Sequence, residues 1–414
     1  MRIRIFALAS LLLLTGTVID TRAQQSDWLQ WGGPRRDFTT NSKGLATTWP
    51  ATGPKQLWTR PLGAGHSAIL ASGNTLYTMY SEGEQETVIA LAADTGKTIW
   101  VYKYDAPHAG MNYEAGVGPH STPLLVGDSL YAVGATGKLF ALDKATGKVL
   151  WSHDLWKDFG GRRIDRGYSC SPIAYKNTII LTLGGGQNQT LIAFNQKDGS
   201  VAWKNQSLDM SPSSPILINV NGQDQLVAFL GKVVAGLDPN NGNLLWSHPH
   251  VTEWGLNITM PVWGNDNLLF ISSAYSGGSR VLKLTQKDGK TTAEELWFHR
   301  RMRIHHGTAI RIGDYVYGSS GDFGPAFFAA VNVKTGEIAY QDRTFPKSNF
   351  LLADGKLIIL DEDGNLALAT ATPTELKVIS KVSVLKNLAW TVPTLVGTKL
   401  YLRDRRTIIA LDLS

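Results

Sequence analysis

VIALAADTGKTIW (Val88–Trp100), LFALDKATGKVLW (Leu139–Trp151) and LIAFNQKDGSVAW (Leu191–Trp203) are one phrase written three times. Each opens on a short apolar run around a central Ala. Each then turns through an acidic or amide residue and a Gly, and closes on Trp. The first half alternates like a strand. The middle is turn chemistry, because Asp and Asn bond their own backbone and Gly accepts a positive φ. The Trp half reads as the returning strand, so the phrase predicts a hairpin.

The closing aromatic recurs as Trp100, Trp151, Trp203, Trp246, Trp297 and Tyr340, and Trp58 in "KQLW" stands before the first full phrase. A degenerate copy, "LALATATPTELKVI", follows, and "IIALDLS" ends the chain without its Trp half. Upstream of each hairpin lies another strand pair, as in "STPLLVGDSLYAVGA" (Ser121–Ala135). Four antiparallel strands recurring every 40 to 50 residues or so are the signature of a β-propeller blade. One four-stranded sheet cannot cover both its faces, and neighbouring blades can. The recurring aromatics Trp58, Trp100, Trp151, Trp203, Trp246, Trp297 and Tyr340 are expected to dock between blades.

The pattern predicts an all-β fold of eight blades, the eighth lacking its outer strand. "KQLWTRPL" (Lys55–Leu62) is a Trp half with no phrase in front of it. It is expected to pair with "TIIALDLS" and close the ring, which removes exposed strand edges.

Across 414 residues, 43% are apolar and 18% charged, a balance that excludes a disordered chain. Arg2 and Arg4, an apolar run from Ile5 to Val18 and Thr21-Arg22-Ala23 read as a secretory signal peptide. The expected organisation is a signal over 1–23, an N-terminal extension over 24–54 and the propeller over 55–414. The expected location is exported, periplasmic or extracellular, with no lipid anchor and no transmembrane segment. The formal net charge is +6, with no Lys/Arg block of the kind that binds nucleic acid. Cys170 is the only cysteine, so no intramolecular disulfide forms, and it reads as a small buried hydrophobe.

The Ala-apolar-Asp-x-x-Thr-Gly-x-x-x-Trp phrase resembles the repeat of the quinoprotein superfamily. "DWLQWGGPRRD" with "WPATGPKQLW", "GPHSTPLLVGDSLYAVGATGKLFALDKATGKVLW" and "VPTLVGTKLYLRD" are similar to secreted bacterial PQQ-like propellers. That superfamily includes dehydrogenases of pyrroloquinoline quinone (PQQ) and the non-catalytic propeller lipoprotein of the outer-membrane barrel-assembly machine. The resemblance implies PQQ with Ca²⁺ as a cofactor to test. Similar dehydrogenases carry a vicinal cysteine pair, a calcium shell of Glu, Asn and Asp, and an Asp base. Cys170 is single, and Asn112 and Glu114 in "NYEAG" offer only a fragment of a shell.

Residues just before each inner strand should ring one face near the axis. They are His66, His120, Arg163, Arg166, Asn257, His306, Asn349 and Trp390. Three His and two Arg on one rim would suit an anionic ligand, and the alternative is a solvated rim. "KDFGGRRIDRGYS" (Lys157–Ser169) is a long charged connection whose Arg162, Arg163 and Arg166 could close over that rim. "HRRMRIHH" (His299–His306) reads as one wet strand or loop. Strand alternation would send His305 and His306 to opposite faces, away from a common metal ion. "LGGGQNQ" lacks the Lys-Ser/Thr of a phosphate loop and reads as a hairpin turn, and there is no Gly-x-Ser-x-Gly elbow.

The expected function is a monomeric, non-catalytic binding or scaffold module for an envelope or extracellular protein partner or a small anionic ligand. The alternatives are a divergent PQQ-dependent oxidoreductase and an outer-membrane assembly subunit.

Overall fold

A computed structural model describes residues 27–111, 116–322 and 324–414. The predicted signal peptide and Asn112 with Glu114 lie outside the described residues. Thirty-two strands form eight four-stranded antiparallel sheets arranged as blades of a propeller. Blades one to seven are continuous in sequence. They span 70–105, 124–154, 173–205, 216–249, 262–299, 304–342 and 348–383. The eighth takes Thr394–Val396, Lys399–Arg403 and Thr407–Asp412 from the C-terminus, and its outer strand is Lys55–Pro61. That strand runs antiparallel to Thr407–Asp412, from Lys55 opposite Asp412 to Pro61 opposite Thr407. The ring is therefore fastened as the split phrase requires, and blade eight pairs both chain ends.

Burial tracks position in the blade. Middle strands are covered on both faces by neighbouring blades, so Thr178–Thr182 is buried throughout. Outer strands alternate. In Thr98–Asp105, Trp100 and Tyr104 point inward, while Ile99 and Val101 face solvent.

The recurring aromatics meet the next blade in a repeated way. Trp58 donates its indole N–H to Ala93 O of blade one at 2.9 Å, and Trp100 donates to Lys144 O of blade two at 2.9 Å. Trp151 reaches Gln196 O of blade three at 3.0 Å, and Trp297 reaches Val333 O of blade six at 2.8 Å. The accepting carbonyls lie in the hairpin turn of the neighbour. The glycine of that turn serves twice. Gly147 holds a φ of 72°, and a Cβ there would stand 2.5 Å from the Trp100 ring. Only Gly both makes the turn and lets the indole lie against it.

Three aromatics depart from this scheme. Trp246 donates to Gln225 Oε1 of its own blade at 2.7 Å. The next blade there replaces the short turn with the long hairpin Gly278–Lys287 and Lys290–His299, so no turn carbonyl is on offer. The indole nitrogen of Trp203 and the hydroxyl of Tyr340 are buried without a hydrogen bond.

The extension before Lys55 is built into the ring. Trp28 bridges Ala71 of blade one, Leu29 O accepts from Leu125 N of blade two, and Thr39 bridges Leu352 of blade seven. Ala46 N then donates to Leu413 O of blade eight. The first three contacts fall on or beside the innermost strands, and the fourth lies just past Thr407–Asp412, the third strand of blade eight. The segment thus straps across one mouth of the axial channel. Arg36 is its pin. The fully buried guanidinium donates to Pro215 O at 2.8 Å, Pro172 O at 3.1 Å and Ser171 O at 2.9 Å. Three backbone carbonyls of blades three and four thereby gain a partner that no strand supplies.

Candidate functional site

A cavity of about 470 Å³ near the propeller axis is lined by loops that precede the innermost strands and by Trp31 and Phe38 of the strap. Six of the eight residues expected on the rim line it: His66, His120, Arg163, Arg166, His306 and Trp390. Asn257 and Asn349 do not line it. Both are buried behind the wall. Asn257 donates to Leu230 O at 2.6 Å, and Asn349 donates to Trp390 O at 2.7 Å. Their side-chain carbonyls have no hydrogen-bond partner. Asn349 is therefore a strut for Trp390, whose indole N–H is also held by Glu362 Oε2 at 2.9 Å.

The wall is an arc of rings in sequence. His120 stacks on His66 at 5.4 Å between centroids, His66 lies 5.5 Å from Trp390, and Trp390 lies 4.3 Å from His306. His306 continues to His305 at 4.7 Å, His305 to Tyr275 at 4.9 Å, and Tyr275 to Trp254 at 4.8 Å. The Tyr275 hydroxyl and His305 Nε2 are 2.5 Å apart. Trp254, 56% exposed, stands at the mouth.

Two expectations fail here. His305 and His306 do not point to opposite faces, because both line the cavity. The register of Ile304–Ile312 shifts between Ile304 and Ala309, and this bulge holds both histidines and Gly307. Alternation across a strand lapses inside a bulge. Nor is His299–His306 one wet stretch. Met302 and Ile304 are fully buried core on either side of the half-buried Arg303.

Burial sets the protonation of this wall. It lowers His120 to about 4, with Arg166 and Arg405 adding repulsion. It lowers His305 to about 3, with Lys347 and Arg166 adding to it, and holds His306 well below the usual range. All three are neutral at pH 7, so they act as hydrogen-bonding rings rather than cations. His306 Nε2 is buried and without a hydrogen bond.

The positive charge comes from a loop. Between blades two and three, Arg162 N donates to Leu183 O at 3.0 Å, and Tyr168 N donates to Ala135 O at 2.7 Å. These anchors hold a short arch whose exposed Arg162, Arg163 and Arg166 line the mouth with Asp165. Arg163 stacks 4.9 Å from the Trp156 ring. The sequence reading missed Trp31 and Phe38 of the strap, and also Met210, Trp254, Met260 and Tyr275. The aromatic- and glycine-dense "DWLQWGGPRRDF" was the one local signal for the first two.

The donor set separates a quinone from its metal. Arginines at the mouth suit carboxylates. Trp390 and Tyr275 offer flat faces, and His306 Nε2 offers an unused polar atom, so PQQ fits. Ca²⁺ requires about six to eight oxygen ligands. Asp165 is the one carboxylate among the described lining residues. No three His, Cys, Asp or Glu gather to hold an ion among the described residues. Cys170 is buried in the core.

A PQQ-repeat family model, described as outer membrane protein assembly factor BamB, matches residues 33–172 and 120–342. The quinoprotein alcohol dehydrogenase PedH of Pseudomonas putida is 28% identical over 148 residues, 32% of this chain and 23% of its own length. The outer membrane protein assembly factor BamB of Yersinia pestis is 26% identical over 227 residues, 50% of this chain and 53% of its own. These matches thus span about half or less of the relatives' length. Among solved structures, BamB from Moraxella catarrhalis superposes with a TM-score of 0.58 at 15% identity, covering 86% of this chain and 97% of that one. A europium-containing methanol dehydrogenase superposes at 0.66 and 12% identity, covering 91% and 89%. Likenesses at this identity establish the propeller fold and no activity. No helix among the described residues is long and apolar enough to cross a membrane.

Proposed function

This chain belongs to the PQQ-repeat propeller family whose model is described as outer membrane protein assembly factor BamB, and on that footing we propose that it is an exported, non-catalytic binding module. Its ligand is a small anionic molecule taken into the axial cavity. The observation that carries this reading is the cavity itself, where three arginines guard the mouth of a ring-lined pocket of about 470 Å³. That volume lies in the range of small-molecule sites. PQQ, a flat tricarboxylate, is the representative ligand. Arg162, Arg163 and Arg166 would hold its carboxylates, and Trp390 and Tyr275 would flank its rings.

When bound in a dehydrogenase, the quinone supplies the electron sink for substrate oxidation. Here the residues around it bind and orient. The neutral His120, His305 and His306 keep the wall free of charge at pH 7, so the arginines alone draw the anion. Asn349 and Glu362 hold Trp390 by its carbonyl and its indole N–H. The poverty of carboxylates weighs against the oxidoreductase alternative.

Titration of the purified protein with PQQ, with and without Ca²⁺, tests the reading. Calcium-independent binding supports it. Calcium-dependent binding followed by dye reduction with alcohols would replace it with the oxidoreductase. No binding at high micromolar ligand would sink the small-ligand reading.

The second reading, an outer-membrane protein assembly subunit, is favoured by the match to the family model over residues 33–342. Its test is co-purification with the outer-membrane assembly machinery from the native envelope, with the Arg166→Glu variant as a control for the axial face.

A further inference from the structure

The cavity has a gradient along the propeller axis. At its mouth are Arg162, Arg163 and Arg166, all exposed. At the strap end the lining turns aromatic. Trp31 and Phe38 enter from the strap and share a core cluster with Met260, while the hydroxyl residues Ser171 and Ser214 also line the cavity. Phe38 is 2% exposed and meets Trp31 edge to face, 5.3 Å between centroids at 87°. A rigid right-angled aromatic pair thus forms the floor. Both Arg36 and Phe38 hold positive φ, 58° and 60°, which aims a short segment of chain into the channel at local cost.

Arg36, two residues before Phe38, is committed. Its Nε, Nη1 and Nη2 each donate to a backbone carbonyl, and it does not line the cavity. An anionic group driven to the floor would lose its hydration and meet neutral donors such as the Ser171 and Ser214 hydroxyls, with the lining arginines all on the arch. Burying an unpaired charge in this way costs several kcal/mol. An apolar ring end meets no such penalty and gains from every Å² it buries.

We infer that the axial cavity selects aromatic carboxylates and takes them ring end first, with Trp31 and Phe38 of the N-terminal strap as the specificity-determining floor and the arginine arch as the acid-binding mouth. This rests on the proposed small-anion reading and adds to it. Charge at the mouth alone would accept any small polyanion. The floor restricts the ligand to one with a flat apolar end, and it makes the strap part of the binding site as well as of the fold.

The test is isothermal titration of the full chain with three probes: PQQ, quinoline-2,4-dicarboxylate and citrate. Both aromatic acids should bind at least ten-fold more tightly than citrate. Phe38→Ala should weaken the aromatic acids at least five-fold and leave citrate unchanged. Trp31→Leu, which keeps apolar volume but removes the flat ring, should act in the same direction and guards against a Phe38 variant that fails to fold. Arg166→Gln should weaken all three and flatten the salt dependence of binding. Citrate binding as tightly as the aromatic acids would overturn the inference while leaving the small-anion reading intact. So would strap variants that weaken all three probes equally. Absence of binding by all three would overturn both.

Discussion

Trp151→Ala tests the logic of the repeat most directly. The ring is 9% exposed and lies against Tyr131 at 5.8 Å and His153 at 5.5 Å. Its N–H bonds to Gln196 O of the next blade. Its face meets the turn at Gly199, where a Cβ would stand 2.6 Å away. Truncation therefore opens a cavity at a blade interface and leaves Gln196 O with the Tyr131 hydroxyl, at 3.2 Å, as its remaining side-chain donor. Buried Trp to Ala costs about 3–5 kcal/mol, and about 1 kcal/mol of that is the lost hydrogen bond. Leu150, the neighbour in sequence, is 50% exposed. Leu150→Ala should cost under about 0.5 kcal/mol. Gly199→Ala probes the same contact from the other side. It places a methyl against the indole at a residue whose φ is 71°, and overpacking of this kind costs about 1–3 kcal/mol. Urea unfolding followed by far-UV circular dichroism reads all three. A loss under about 1 kcal/mol for Trp151→Ala, or parity with Leu150→Ala, would refute the claim that the phrase recurs because its aromatic holds blade to blade.

Deleting Lys55–Leu62 removes the outer strand of blade eight. It should abolish cooperative thermal unfolding, and an unchanged melting transition would contradict closure by the N-terminus. Arg36→Leu leaves Pro172 O and Pro215 O without their donor and Ser171 O with only the weak Cys170 thiol at 3.8 Å, at roughly 1–3 kcal/mol for each unpaired carbonyl where water cannot enter. Arg36→Lys should not rescue the loss, because an ammonium cannot reproduce the planar fork; full urea stability in the Lys variant would deny the pin. Acid should destabilise the fold through its buried histidines. His250 and His305 are each lowered to about 3 by burial, so their contribution is complete above about pH 6.5 and is lost as pH falls toward 3. Glu86 acts in the opposite sense. Burial raises it to about 6, so its contribution is complete below about 4.5 and is lost as pH rises through 6. The melting temperature should fall from pH 7 to pH 5, and more steeply in Glu86→Gln, which lacks the offset. A melting temperature that climbs on acidification would reject the assignment of neutral buried histidines.

The two ends of the chain show how much a sequence can say. Lys55–Leu62 carries a Trp half without its partner and the C-terminus carries the partner without its Trp, so the closing pair could be read before any coordinates. The same holds for the blade count, for the turn glycines and for the six rim residues that do line the cavity. All of these depend on local periodicity, which the chain writes out in order. Ring closure then follows from the need to cover both faces of every sheet.

What only the tertiary structure decided depends on contacts between distant segments. The strap could be read as an extension, but nothing in its composition says that it spans the axis and that Trp31 and Phe38 floor the cavity. That follows from carbonyls of blades three and four that need Arg36. His305 and His306 share one face because a bulge breaks the alternation that a sequence reading must assume. Asn257 and Asn349 stand at rim positions yet turn away from the cavity, because the backbone carbonyls Leu230 O and Trp390 O claim their amides. Periodicity assigns each residue to a strand and a side. The bulges, buried donors and chain crossings that shape a binding site arise from hydrogen-bond demands between blades, and these exist only once the ring has closed.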